Sequence, residues 1–166
     1  MKKETYLKMT QPFRENPKLA KSLHISNCII TGLIFVSYPL LLIWMFLEKD
    51  EELLRSILVP LDGFILVSVL RYMVNRPRPY EKFGIPSVIP KNTKGKSFPS
   101  RHVFSAAVIA LTFLMQPECL VAGIGLLFLT AAISVIRVVS GVHFISDVLA
   151  ALIAAVLMWL IGIYVF

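Results

Sequence analysis

The sequence predicts an all-α protein, a multi-pass transmembrane helical bundle of about five spans preceded by a basic N-terminal segment. Three observations predict it. Of 166 residues, 57% are hydrophobic and only 16% are charged, against roughly 45–50% and about 25% in soluble domains. The apolar residues fall into five runs, separated by short polar turns and one long connection. Each run must be helical, because an open strand in lipid leaves backbone groups without partners. An ordinary soluble globule, a disordered chain and a secreted disulfide scaffold are thereby excluded. A formal charge of +7 in so apolar a chain points to an anionic partner at a membrane. Nucleic acid is disfavoured, because too little polar surface remains to bind it.

Residues 1–24 carry Lys2, Lys3, Lys8, Arg14, Lys18 and Lys21, with Tyr6, Leu7, Met9, Phe13 and Leu19 scattered among them. They read equally as an interfacial helix on anionic headgroups and as a solvated tail. Pro12 and Pro17 argue against one unbroken helix. The apolar run begins too late and is too long for a cleavable signal. Residues 25–166 are expected to form one membrane-embedded domain. Ile25–Leu47 is long enough to span and stops at the charged turn 48–52. Leu53–Val74 follows, with Pro60 expected to kink it. Asp62 lies mid-way along this run, where a buried partner, water or protonation would satisfy it, and it is read as structural. Ser100–Met115 is short for a span and fits only nearly upright or where the membrane thins. Leu120–Ile136 and Val142–Phe166 complete the set. Gly123, Gly125, Ala131, Ala132 and the Ala150/Ala151/Ala154/Ala155 cluster offer small residues for close helix packing. Cys28 and Cys119 begin the first and fourth runs, near opposite membrane faces, too far apart for a disulfide. Two free thiols, buried and inert, are expected.

The connection 76–99 holds Pro77, Pro79, Pro86, Pro90 and Pro99. Loops of this length in compact proteins are usually functional or disordered, and the prolines favour an ordered, extended path. Counting faces puts both ends of this loop, the end of the fourth span and the start of the fifth on one side. Arg71, Arg78, Ser100, Arg101, His102, Arg137, His143 and Asp147 therefore gather at one membrane face. His143 and Asp147, four apart, share a helix face. The carboxylate can hold one ring nitrogen and present the other as nucleophile or base, or the pair can simply satisfy itself. Ser100 is a natural N-cap, and the helix start behind it can bind an anion with His102 in its first turn. A plain cap beside an interfacial Arg and His would look the same. Arginines at span ends commonly touch lipid headgroups, yet guanidinium also grips phosphate in a bidentate fork.

Together these groups are what phosphoryl transfer needs: arginines on the phosphoryl oxygens, one His to attack and one to protonate the leaving oxygen. Only Glu4, Glu15, Glu81 and Asp147 supply carboxylates to that face, which does not suit Mg²⁺. The expectation is a reaction with no metal and no cofactor.

These residues resemble the type 2 phosphatidic acid phosphatase (PAP2) family. Arg71 is followed by six residues and then Arg78-Pro79. Pro99-Ser100-Arg101-His102 resembles the family's Pro-Ser-Gly-His. Arg137, five residues, His143, three residues and Asp147 match its third motif. The match runs over residues 71–147 in the correct order. The resemblance implies a phosphohistidine formed at His143, oriented by Asp147, with His102 as general acid. It implies that Arg71, Arg78, Arg137, Ser100 and the Arg101 backbone N–H hold the phosphoryl oxygens. The substrate would be a lipid phosphate or diphosphate: phosphatidic acid, phosphatidylglycerol phosphate or a polyprenyl diphosphate. The location would be the cell membrane, among its lipids. Two residues depart from the pattern: Arg101 replaces Gly, crowding the phosphate or adding a cation for a diphosphate, and Ile136 replaces the Ser before Arg137.

Two other readings use the same residues. One is an inactive protein that binds anionic lipid, and the other is a hydrolase with Ser100, His143 and Asp147 as its triad. Fifteen of the seventeen Lys and Arg lie on the motif-bearing face, all but Lys49 and Arg55. Positive-inside logic puts that face in the cytoplasm, but several of these charges serve the site and do not report topology.

Overall fold

In the computed structural model the described residues are 2–165. Met1, the first residue of the predicted N-terminal segment, and Phe166, the last of the predicted membrane domain, lie outside them. The order is α1 (Lys3–Glu15), α2 (Pro17–Glu48), α3 (Leu53–Val74), a short α4 (Pro79–Phe83), α5 (Arg101–Leu114), a 3₁₀ turn (Pro117–Cys119), α6 (Leu120–Val139) and α7 (Ile145–Val165). The described residues contain no strand.

The N-terminal segment is neither a free tail nor a single helix with α2. Pro12 is absorbed inside α1, whereas Pro17 starts α2 at its first position. Asn16 turns the chain out of helical geometry there, and its Oδ1 accepts the N–H of Lys18 at 3.0 Å and of Leu19 at 3.3 Å. Two orphan donors of the new helix are thereby satisfied. The first span thus extends upstream of the expected Ile25. At its far end Lys49 adopts φ 55°, the left-handed conformation that closes a helix.

α3 runs unbroken through Pro60. Proline has no N–H, so the carbonyl of Ser56 loses its intrahelical donor. Tyr38 of α2 supplies the replacement: its hydroxyl donates to the Ser56 carbonyl at 2.8 Å. Asp62 lies on the exposed side of α3 and is in no ion pair among the described residues. Of the three ways expected to satisfy it, a buried charged partner is not found among the described residues.

Helices α2, α3, α6 and α7 are long and apolar enough to cross a membrane; α5 is shorter. At about 1.5 Å per residue, its 14 residues extend about 21 Å, less than the roughly 30 Å of hydrocarbon. Its position resolves the shortfall. Residues Val103–Ala110 are all buried, so the other spans rather than lipid surround this helix. One face of α5 (Ala106, Ile109, Ala110, Phe113) packs with Ile34, Leu41 and Met45 of α2 and Leu126 and Ile133 of α6. The other (Val103, Phe104, Ala107, Val108) packs with Val67 of α3 and Val148, Ala151 and Ala155 of α7. Close approach of α3 depends on Gly63, since a Cβ there would run into the Phe104 ring. Gly123 likewise lies tight against Leu114, whereas Gly125 has open space around it and packs against nothing.

The thiols are free, but the burial expectation fails: Cys28 is exposed on α2 and Cys119 is half-buried. Large apolar side chains such as Phe46, Phe128 and Val121 are exposed on the outer faces, the surface a bilayer would cover.

Candidate active site

The site is built where α6 ends and α7 begins. The N–H of Ser140 reaches the Ile136 carbonyl at 2.9 Å, and Gly141, at φ 75°, reverses the chain. The His143 N–H then returns to the Arg137 carbonyl at 3.1 Å. This turn delivers a buried His143 to the head of α7, one turn from Asp147, which is completely buried.

Asp147 is held from four directions. Its Oδ2 accepts the Ser97 hydroxyl at 2.5 Å and the Phe144 N–H at 3.0 Å, and lies 3.6 Å from His143 Nδ1. Its Oδ1 accepts from Arg76 Nη1 at 2.8 Å. The Arg76 guanidinium also lies over the Phe144 ring, 4.3 Å from its centroid. The Ser97 oxygen is 3.4 Å from His143 Nδ1. One side of the imidazole is therefore occupied, which leaves Nε2 for the cavity that His143 lines. Burial drives the His143 pKa down to about 4, assisted by the charges of Arg78 and Arg137 and opposed by Asp147. The ring is neutral at physiological pH, as a nucleophile must be.

That cavity, of about 330 Å³, brings together most of the residues singled out from sequence: Arg71, Arg78, Arg101, His102, Arg137 and His143. The arginines come from separate segments, and Arg71 and Arg78 are aimed by backbone carbonyls rather than by carboxylates. Arg71 Nη1 donates to Pro99 O at 2.5 Å, Arg78 Nε to Gly95 O at 3.1 Å and Arg78 Nη1 to Val142 O at 3.4 Å. Arg137 is buried with its Nε unpartnered among the described residues. Guanidinium groups held this way keep their full charge for an anion. His102 enters from the first turn of α5, its ring edge-on to Phe35 at 6.4 Å between centroids. The two imidazoles thus face one compartment.

Ser100 departs from expectation. It occupies the N-cap position of α5, but its hydroxyl makes no capping bond and has no hydrogen-bond partner among the described residues. Its role is carried by the backbone: the N–H donates to the Asp147 carbonyl at 3.0 Å and the C=O accepts from Phe104. Ser100 and Asp147 do not line the cavity.

The 76–99 connection is ordered, but the extended path is interrupted by α4 and folded back on itself by Glu81. That carboxylate accepts the N–H of Arg78 at 2.8 Å and of Gly95 at 2.8 and 3.0 Å. The N–H of Val88 bonds the Ser140 carbonyl at 2.9 Å. From outside, α1 braces the loop: buried Tyr6 donates to Ile85 O at 3.1 Å, Arg14 contacts the Pro86 carbonyl, and the Tyr6 ring meets Phe83 at 5.3 Å.

Sequence reasoning missed Ser97, Arg76, Lys91 and Lys96. Ser97 and Arg76 reach Asp147 across 50 and 71 positions, and no local spacing reports such a contact. Lys91 and Lys96 line the cavity, and the density of basic residues on the loop was the available signal. A larger apolar groove of about 580 Å³ between α6 and α7, lined by residues such as Leu127, Val135 and Leu152, contains no ionisable side chain and is not where the chemistry lies.

The PAP2 superfamily model matches residues 53–166. Two solved structures are similar over 97% of the chain. The crystal structure of Aquifex aeolicus LpxE is 24% identical with a TM-score of 0.74, and 93% of its chain is covered. That of the first transmembrane PAP2 type phosphatidylglycerolphosphate phosphatase from Bacillus subtilis is 22% identical with a TM-score of 0.70, and 84% is covered. No curated protein matches the chain.

Proposed function

The chain belongs to the PAP2 superfamily and is a phosphatase of the membrane, and from that premise we propose that it removes the terminal phosphate of a lipid phosphate or diphosphate through a phosphohistidine on His143. One observation carries the reading: His143, backed by Asp147 and Ser97, shares a single cavity with His102, the carbonyl-aimed Arg71 and Arg78, and the buried Arg137.

In the proposed sequence His143 Nε2 attacks phosphorus, and the bond from phosphorus to the leaving oxygen breaks. His102 gives that oxygen its proton. Arg71, Arg78 and Arg137 neutralise the charge spread over the remaining oxygens, joined by the free N–H groups of the first turn of α5, that of Arg101 among them. Water then attacks phosphorus, His102 takes up its proton, and His143 is released with inorganic phosphate. Asp147 holds the imidazole and favours the cationic form it acquires. Cations of the protein serve the phosphoryl oxygens throughout, so the reaction is proposed to be metal-independent.

A lipid tail has a place to lie. An apolar groove of about 310 Å³ between α2, α3 and α5 is lined by residues including Phe35, Tyr38, Leu61 and Phe64. Phe35 also meets His102, and Phe64 lies beneath Arg101. The groove therefore leads from the bilayer side to the cavity. We assign residues 25–166 as the phosphatase unit, 76–99 as its substrate loop, and the cell membrane as its site of action. The Ser100–His143–Asp147 hydrolase gains no support, because the Ser100 hydroxyl touches neither partner.

The test is phosphate release by purified protein from phosphatidic acid, phosphatidylglycerol phosphate and a prenyl diphosphate, with and without EDTA. Release from at least one lipid, unaffected by EDTA and lost in His143→Ala, is expected. Lipid binding with no release would favour an inactive anionic-lipid-binding protein.

A further inference from the structure

Six cationic side chains line the cavity, twice the number used for the transferred phosphoryl group. Beyond Arg71, Arg78 and Arg137 stand Lys91, Lys96 and Arg101, and no carboxylate is among the lining residues described. A phosphomonoester brings about two negative charges at neutral pH, which the inner arginines alone can match.

The outer cations are held in place. Lys96 Nζ lies 4.9 Å from the centroid of the Tyr72 ring, and Arg101 Cζ lies 5.5 Å from that of Phe64. Both rings belong to α3, and both are exposed on the side a bilayer would cover. Cation–π contact orients two long side chains that have no other hydrogen-bond or ion-pair partner among the described residues. Lys91 reaches in from the loop. Burial holds its ammonium below the usual lysine range, and the charges of Arg78, Arg137, Arg101 and Arg71 depress it further. An ammonium placed among four guanidinium groups with no acid beside it is a site for an anion.

We infer that Lys91, Lys96 and Arg101 form a second anion subsite, which takes the non-transferred phosphate of a lipid diphosphate. The inference rests on the phosphatase reading above and narrows its substrate. The order of parts along the protein matches the order along such a molecule. The hydrocarbon chain lies in the groove that includes Phe64, and the first phosphate meets Arg101 and Lys96 at its inner end. The terminal phosphate then reaches the inner arginines and His143. In the reaction the bond from the terminal phosphorus to the bridging oxygen breaks, and His102 protonates that oxygen. Water supplies the remaining atoms, so the products are lipid monophosphate and inorganic phosphate. Arg101, which replaces the small residue of the family motif, is the specificity-determining residue of this subsite.

The test has two arms. In the first, kcat/KM is measured for geranylgeranyl diphosphate and geranylgeranyl monophosphate in detergent. Wild type is expected to favour the diphosphate at least tenfold, and the Lys96→Gln/Arg101→Gln variant to bring that ratio near unity, mainly through KM. A ratio unchanged in the variant, or a wild type favouring the monophosphate, overturns the inference. Hydrolysis of free pyrophosphate as fast as the lipid diphosphate overturns its lipid character. In the second arm, inorganic pyrophosphate and inorganic phosphate are titrated calorimetrically into His143→Ala, where no turnover is needed. Pyrophosphate is expected to bind at least tenfold tighter, an advantage lost when Lys96→Gln/Arg101→Gln is added. Equal binding overturns the subsite even if the enzyme is active. A pyrophosphate advantage that depends on those two residues, with no lipid hydrolysed, upholds the subsite and overturns the phosphatase reading instead.

Discussion

Ser97 donates its hydroxyl hydrogen to Asp147 Oδ2 at 2.5 Å, and the Ser97 Oγ lies 3.4 Å from His143 Nδ1. A loop residue therefore fills the space between the carboxylate and the imidazole. The direct His143–Asp147 separation, 3.6 Å, is long for a hydrogen bond. Ser97 is thus a positioning residue. A hydrogen bond to a charged group contributes about 1.5–3 kcal/mol, so Ser97→Ala is expected to lower kcat roughly 10- to 100-fold with little change in KM. Steady-state kinetics on a lipid phosphate measures this; an unchanged kcat would contradict it.

The pH profile reports the protonation of His143. The folded value, about 4, lies below the ordinary imidazole value of 6.5. The neutral ring is the nucleophile, so the acid limb of kcat/KM, which reads the free enzyme, is expected near pH 4. The sign for stability is the same. A depressed value contributes stability that is full above about 6.5 and is lost as the pH falls through about 4. A rate profile in detergent from pH 3 to 8 checks it. A His143-dependent limb near 6.5 would contradict the burial argument.

The brace from α1 is tested at Tyr6, which is 1% exposed and bonds the Ile85 carbonyl at 3.1 Å. Tyr6→Phe removes the donor and is expected to cost about 1 kcal/mol. Tyr6→Ala also empties a fully buried ring site and is expected to cost about 3–5 kcal/mol. Thermal unfolding gives the stabilities, and amide exchange over residues 76–99 locates the effect. Faster exchange there in Tyr6→Ala is expected, and exchange unchanged throughout the loop would show that α1 does not brace it.

Tyr38 and Pro60 are coupled through the Ser56 carbonyl. Tyr38→Phe in the native background leaves that carbonyl unsatisfied, at about 1–3 kcal/mol. In a Pro60→Ala background residue 60 regains an N–H and the same change is expected to cost less. A double-mutant cycle by thermal unfolding measures the difference; additive effects would refute the coupling.

The spans were legible because lipid imposes them: apolar length and backbone satisfaction leave few alternatives for Leu53–Val74 or Leu120–Ile136, the latter running on to Val139 in the structure. The buried station of α5 was less so, since a 14-residue run does not reveal that neighbours enclose it. Pro12 and Pro17 look alike in sequence, yet only Pro17 follows an Asn able to cap a new helix. Within the site, the groups with characteristic spacing, such as His143 and Asp147, could be paired from local geometry. Ser97, Arg76 and Tyr6 could not, because each meets its partner only after the loop folds back. Ser100 misled for the opposite reason: its residue type suits a cap, but its backbone rather than its hydroxyl is engaged.

The central claim is that His143 carries the phosphoryl group. Purified protein is mixed with a ³²P-labelled lipid phosphate, quenched in alkali within its first turnover and mapped by peptide. Label on the peptide containing His143, stable in alkali, lost in acid and absent in His143→Ala, is the expected result. Label on Ser97 or Ser100 in a parallel acid-quenched sample, or full turnover by His143→Ala, would contradict the account.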